Sequence, residues 1–332
     1  MKITIIGGSG FVGTRLVKRL LNSNHTVTIL DKRKSDFYPE IWKFADVRDV
    51  DSLISNLKDC DVIYNLAAEH KDNITPISLY DDVNVYGALN VCRAAQVHNI
   101  TNLIFTSSVA VYGFAPKNTD ETGNFNPFND YGRTKMLAEA EYRKWLNLDK
   151  KHSLTIVRPT VIFGERNRGN VYNLLNQMAS GHFLMVGNGQ NMKSMAYVEN
   201  VAAFLEFALK FKNGEHLFNY IDKPDYTMNS LVEDVNNYLG RKLNSSLHIP
   251  YFLGYLGGLI FDIFSKITGK KFTVSSIRIK KFCKDTQFSS SNINKTDFMS
   301  PVSLKKGIQN TVKFEFIDKR KDKEDNIIFE TE

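Results

Sequence analysis

Cysteine is scarce in this chain: Cys60, Cys92 and Cys283 are the only three in 332 residues. They stand far apart and match no C-x-x-C or zinc-ligand spacing, which argues against a disulfide framework or a structural metal. Packing thiols in a reduced compartment are the expectation. Long apolar runs are missing as well. The longest, Ile249 to Phe264, holds Pro250, three glycines and Asp262 and falls short of the ~20 residues a membrane span needs. It reads as a core helix or a pocket wall rather than an anchor. No basic or apolar leader precedes the first strand-like residues, so no secretory signal is expected and cytoplasm is the expected compartment. Charge of one sign is not gathered on one arm: 43 Lys and Arg are spread among 36 Asp and Glu, for a net +7. That pattern describes a solvated surface and argues against a nucleic-acid-binding arm. No internal repeat is visible.

What is present begins at once. Ile3, Ile5 and Ile6 read as a short buried strand, and Phe11, Val12, Leu16, Val17, Leu20 and Leu21 recur at helical spacing. Gly7, Gly10 and Gly13 fall at the join, in a G-x-x-G-x-x-G arrangement. Residues without side chains there let backbone N–H groups approach a pyrophosphate, and the helix N-terminus adds partial positive charge. Eighteen residues after Gly13, the strand Thr26 to Leu30 ends in Asp31, about where a carboxylate binds the adenosine ribose of a dinucleotide. Lys32 and Arg33 follow it. The carboxylate favours NAD, while Arg33 leaves room for the 2′-phosphate of NADP.

Strand-like and helix-like segments then alternate. Strands are expected near Ile41–Ala45, Val62–Leu66, Leu103–Phe105 and Leu154–Val157, with helices near Val50–Leu57, Ile77–Val97 and Tyr131–Leu146. Strands that are apolar throughout, separated by helices, predict an α/β fold: a doubly wound parallel sheet of the Rossmann type, with ligands at the strands' carboxyl ends. Residues 1–165 are expected to form this dinucleotide-binding domain, with 194–215 returning to it, and 166–193 and 216–317 a smaller α/β substrate lobe. The charged residues 318–332 are expected to be a surface or frayed tail.

Tyr131 and Lys135 are four apart on a predicted helix, which puts the ammonium near the phenol. A free tyrosine has a pKa near ~10 and is a poor base at neutral pH; a fixed cation favours its phenolate. Thr106, Ser107 and Ser108 follow directly on a strand, placing a hydroxyl at the sheet's carboxyl edge. With the glycines, Asp31, Asp46-Val47, Asn65 to Ala68, Asn84, Thr106 to Gly113 and Arg158-Pro159, these residues resemble the extended short-chain dehydrogenase/reductase family. The branch is that of the NAD-dependent epimerases and dehydratases, which includes UDP-galactose 4-epimerase. The resemblance covers roughly residues 1 to 310.

The resemblance implies that Asp46 and Val47 flank the adenine and that Leu66, Ala67 and Ala68 line the cofactor. Thr106, Arg158 and Pro159 belong to the same cofactor set, and Asn84 supports the site from a helix. Ser108 would steady the substrate oxygen, Tyr131 would be the acid/base, and Lys135 would bind the nicotinamide ribose. The dehydratases of this family have an Asp-Glu pair after the hydroxyl residue; Val109 and Ala110 stand there, so dehydration lacks its general acid and base. The expected function is a nucleotide-sugar 4-epimerase, or a 4-ketosugar reductase, working by tyrosine-assisted hydride transfer. Lys193 occupies the place of an arginine that binds the substrate diphosphate, with Arg166 and Arg168 as further candidates. Val161 replaces a usual Asn. Together with the apolar 249–264 segment, it keeps a hydroxysteroid-type dehydrogenase as an alternative, beside a non-catalytic dinucleotide-binding subunit. A homodimer through the helices near Ile77–Val97 and Tyr131–Leu146 is also implied.

Overall fold

The computed structural model describes residues 1–71, 74–241, 248–269, 275–318 and 326–331. The chain opens with β1 (Lys2–Ile6), α1 (Phe11–Asn22), β2 (Thr26–Asp31), β3 (Trp42–Phe44), α2 (Val50–Asn56) and β4 (Val62–Asn65). A π-helical turn, Asp81–Tyr86, leads into α3 (Gly87–Val97), followed by β5 (Asn102–Thr106), α4 (Asp130–Leu146) and β6 (Ser153–Pro159). Then come β7 (Val161–Phe163), α5 (Asn170–Ser180), β8 (Met185–Val186), β9 (Met192–Tyr197), α6 (Val198–Phe207), β10 (Gly214–Tyr220) and β11 (Asp222–Thr227). The last elements are α7 (Met228–Tyr238), β12 (His248–Ile249), α8 (Tyr251–Thr268), α9 (Ser276–Cys283) and α10 (Leu304–Val312).

Seven parallel strands form the central sheet in the order β10-β6-β5-β4-β1-β2-β3. Alternate residues of each strand enter different layers. Ile5, Ile29, Tyr64 and Ile104 pack with Leu16 and Val17 of α1 and Phe204 of α6. Ile6, Leu30, Ile63 and Phe105 pack with Leu53 of α2, Val91 of α3 and Ala138 of α4. A sheet covered on both faces needs apolar residues at every position, which is why its strands are not alternating. The order of strand addition reverses between β1 and β4, with β2 and β3 on one side and β4, β5 and β6 on the other, and the crevice this opens at their carboxyl ends is the ligand position of such sheets.

The outer lobe is built on a second sheet, β11-β9-β7. Its core joins Phe163, Leu175, Met195, Tyr226, Leu231, Ile308 and Val312.

Three expectations need correction. The helix predicted from Ile77 is π-helical over Asp81–Tyr86, and the widened turn carries Asn84, which is 4% exposed and fully engaged inside. The tail does not fray throughout: Phe329 is 3% exposed and packs against Phe11 and Phe37. An aromatic ring among aromatic partners outweighs the surrounding charge; residues 319–325 and 332 of that tail lie outside the described residues. Finally, the 249–264 segment is not a core helix and lies off the main cleft, although Pro250 and Tyr251 line a second cavity. In α8 only Gly258 is buried.

Candidate active site

A cavity of about 710 Å³ opens at the carboxyl ends of β1, β2, β4, β5 and β6. Among the residues singled out in the sequence, Gly7, Gly10, Phe11, Val12, Gly13, Asp31, Asp46, Val47, Leu66, Ala67, Ala68, Thr106, Ser108, Tyr131, Lys135 and Pro159 all line it. Gly7 has φ +80°, and a methyl group there would stand 2.6 Å from the Ala67 nitrogen; one on Gly13 would stand 2.7 Å from the Gly7 carbonyl. Strand end, turn and helix start are therefore in backbone contact, leaving no side chain between the turn and the cavity. The first turn of α1 has neither a capping side chain nor an acidic residue, which keeps its partial positive charge available to an anion.

Asp31 closes β2. Its carboxylate accepts the backbone N–H of Ser9 at 3.1 Å and of Arg33 at 2.9 Å. Burial pushes its pKa up, against those two hydrogen bonds. Arg33 is tied back, donating to the Ser9 carbonyl at 3.2 Å. Asp46 is held by Arg48, whose guanidinium donates at 2.6 Å and keeps the carboxyl below its usual range. The Thr106 hydroxyl, on the cavity wall, is buried with no partner among the described residues, as a group awaiting a ligand would be. Glycine cradle, helix N-terminus, the Asp31 carboxylate at the end of β2 and the orphan hydroxyl together fit a dinucleotide.

The candidate catalytic residues come from two elements. Ser108 ends the β5 segment and accepts the Ala110 N–H at 3.1 Å, which fixes its rotamer. Asn129 caps α4 by accepting the Gly132 N–H at 2.9 Å, so Tyr131 and Lys135 lie on the helix's first turns facing the cavity. The Lys135 ammonium donates to the Thr106 carbonyl at 2.8 Å and sits 6.0 Å from the centre of the Tyr131 ring. It is 2% exposed, and burial lowers its pKa to about 7, with Glu139 pulling the other way.

Beneath them runs a buried polar chain. Glu139 accepts from Ser107 at 2.6 Å and from Arg158 at 2.8 and 2.5 Å; Arg158 also donates to Tyr112, which donates to Asn219 at 2.8 Å. This network anchors the 106–113 loop that carries Ser108.

Several expected contacts turn away from the cleft. Arg158 is 1% exposed and bound to Glu139, a carboxylate that cannot be left unpaired in the interior. Asn84 holds both the N–H and the carbonyl of Glu69, at 2.8 and 2.9 Å, and the Thr134 hydroxyl at 2.9 Å; it fixes the loop after β4 and does not line the cavity. Arg168 pairs with Glu315 at 3.0 Å and lies over Tyr172. Arg166 donates its N–H to the same carboxylate at 2.7 Å and covers Phe37 and Phe314. The buried Glu315 draws both segments to the tail side. Lys193 donates to the Lys284 carbonyl at 2.7 Å, and burial lowers its pKa to about 8.

Other wall residues come from segments with no motif. His70 meets the Tyr131 ring edge-on, 6.4 Å between centres, and burial lowers its pKa. Thr286 and Phe288 arrive from the far end of the chain, and Phe329, Glu330 and Thr331 close the Asp31 side. No local spacing announces them; only the G-x-x-G-like signals and the Tyr/Lys pair are short-range.

Fold and cleft together define an NAD-dependent enzyme of the extended short-chain dehydrogenase/reductase type. Residues 3–220 match the NAD dependent epimerase/dehydratase family, and the chain belongs to it. It is 51% identical over 322 residues to the N-acetyl-alpha-D-glucosaminyl-diphospho-ditrans,octacis-undecaprenol 4-epimerase of Escherichia coli O157:H7, spanning 96% of this chain and 97% of that protein. To a putative UDP-glucose 4-epimerase of Methanocaldococcus jannaschii it is 30% identical over 257 residues, 72% of this chain and 82% of the other. The fold is shared with the crystal structure of UDP-N-acetylglucosamine 4-epimerase from Bacillus cereus: TM-score 0.74, 19% identity, covering 94% of this chain and 98% of that one. The Thermus thermophilus UDP-glucose 4-epimerase solved with NAD superposes with TM-score 0.73 at 18% identity over 94% and 98% of the two chains.

Proposed function

We propose that this enzyme inverts C4 of an N-acetylhexosamine carried on a polyprenyl diphosphate, with Tyr131, Ser108 and Lys135 as its catalytic set. The observation that carries the reading is 51% identity along nearly the whole of both chains to the E. coli enzyme named for that substrate. A nucleoside diphosphate sugar, the substrate expected from the motifs, is the competitor.

Gly7, Gly10, Gly13 and the α1 N-terminus would hold the pyrophosphate of NAD, Asp31 its adenosine ribose, and Lys135 its nicotinamide ribose. When bound, NAD supplies reversible storage of the hydride from C4. Tyr131 accepts the proton of the C4 hydroxyl and later returns it to the opposite epimer. Ser108, its rotamer fixed by Ala110, hydrogen-bonds the same oxygen. Lys135 sets a cation beside the phenol while that ring carries negative charge. Val109 and Ala110 line the cleft where a dehydratase would need carboxylates, so the 4-keto sugar is reduced again instead of losing water.

The hydroxysteroid alternative loses half its support, since α8 lies outside this cleft. The non-catalytic alternative is not favoured, because phenol, hydroxyl and ammonium all line one cavity. A homodimer through the outer faces of α3 and α4 belongs to the reading; Tyr86 and Val97 are 58% and 57% exposed there, whereas Trp145 is buried at 1%. Light scattering that finds only monomer would remove it. Three unpaired cysteines and dependence on NAD support a cytoplasmic location.

The test is to incubate the purified protein, without added cofactor, with N-acetylglucosaminyl-diphospho-undecaprenol or with UDP-N-acetylglucosamine, release the sugar with mild acid, and separate the epimers. Appearance of N-acetylgalactosamine from the lipid-linked sugar is expected; conversion of the UDP-sugar alone would overturn the substrate assignment.

A further inference from the structure

Helix α8 is built inside out. Phe252, Leu256, Ile260, Ile263 and Ile267 follow one another at spacings of four and three residues, so they form a single stripe. Their exposures are 68%, 54%, 48%, 57% and 75%. The other side of the helix carries Gly258 and Asp262. A methyl group on Gly258 would stand 2.7 Å from the Ser276 nitrogen, and Asp262 accepts the N–H of the same serine at 3.2 Å. The helix is therefore held to α9 by its small and polar side while its large apolar side faces outward, the reverse of a helix covering a core. A contiguous apolar surface of this kind marks an interaction site.

Two further observations identify the occupant. Between residues 263 and 284 the sequence has seven lysines or arginines and no aspartate or glutamate, although the chain as a whole mixes the two signs. An apolar stripe followed in sequence by a run of cations suits the headgroup region of an anionic bilayer, and no described helix is long and apolar enough to cross one. In addition, a second cavity of about 790 Å³ lies at the foot of α8, lined by Pro250, Tyr251, Lys280 and Lys284. The segment that leaves it continues to Thr286 and Phe288, on the wall of the catalytic cleft.

We propose that α8 is an interfacial helix that seats the protein on an anionic lipid surface, lying in the headgroup layer with its apolar stripe toward the lipid. Its use, delivery of a lipid-linked sugar to the cleft, rests on the substrate proposed above; the docking itself does not.

The full-length protein is sedimented with vesicles of phosphatidylglycerol and phosphatidylcholine, and with phosphatidylcholine alone, beside an Ile260→Gln/Ile263→Gln variant. Wild type is expected to pellet with the anionic vesicles, and the variant's partition to fall on the order of tenfold for each apolar side chain withdrawn. The variant should keep its thermal midpoint and its turnover of a short-chain, water-dispersed diphospho-sugar, which separates lost docking from lost folding. Wild type left in the supernatant, or a variant that pellets equally, overturns the proposal. So does a dimer that the double substitution splits, which assigns the stripe to a second copy. Vesicle binding without turnover of any lipid-linked sugar leaves α8 as a lipid-docking helix and overturns the substrate assignment instead.

Discussion

Leu16 in α1 and Ile260 in α8 are both branched aliphatics in the middle of amphipathic helices, yet Leu16 is 0% exposed under the central sheet and Ile260 is 48% exposed at the surface. The sheet region buries apolar side chains on both faces and answers each interior charge with a partner, as Arg158 answers Glu139. The α8 flank does the opposite, packing through a glycine and an aspartate and leaving its apolar residues outside. Hydrophobicity serves the fold in the first region and is free for another partner in the second. That difference explains how one chain keeps a well-packed cleft and also shows an apolar edge.

The comparison can be tested where it makes the largest claims first. Tyr131→Phe should lower turnover by ~10²–10⁴-fold with little change in thermal midpoint; retained turnover would mean that the cleft does not do its chemistry through this phenol. Glu139→Ala leaves Arg158 buried without its counter-charge and should cost ~3–5 kcal/mol of folding stability, read from denaturant midpoints; a loss below ~1 kcal/mol would show that the network does not anchor the 106–113 loop. Leu16→Ala should cost ~2–5 kcal/mol, whereas Ile260→Gln should stay within ~0.5 kcal/mol. Equal losses would erase the contrast between the two regions.

The last test is a pH slope. In the unliganded fold Lys135 titrates at about 7, against 10.5 for an ordinary lysine. Between those values the unfolded chain binds the extra proton, so this group makes the folded state gain stability as pH rises through the window. Below it, the cost of burying the charge is present in full. Thermal midpoints of wild type and Lys135→Met across that range should diverge, with the wild type gaining relative to the variant; parallel curves would contradict the buried ammonium.

Short-range features were readable in advance. Gly7, Gly10 and Gly13 reveal a strand-turn-helix because close backbone approach admits only glycine there, and Tyr131 and Lys135 share a face because a helix repeats every 3.6 residues. The all-apolar strands announced a sheet covered on both sides. Which way a polar side chain turns was not readable: Asn84, Arg158, Arg166 and Arg168 look like ligand contacts in sequence, but each meets a partner from a distant segment first. Nor did any pattern nearby foretell that His70, Phe288 and Phe329 would meet at one cleft.

By itself, then, the order of residues determined the doubly wound sheet, the dinucleotide cradle and the phenol–ammonium pair, since these follow from steric and periodic constraints acting over a few residues. Tertiary structure alone decided which charges are consumed as buried partners and which face of α8 points outward. Those outcomes depend on what the rest of the chain brings alongside, and an isoleucine has the same hydrophobicity whether a core covers it or not.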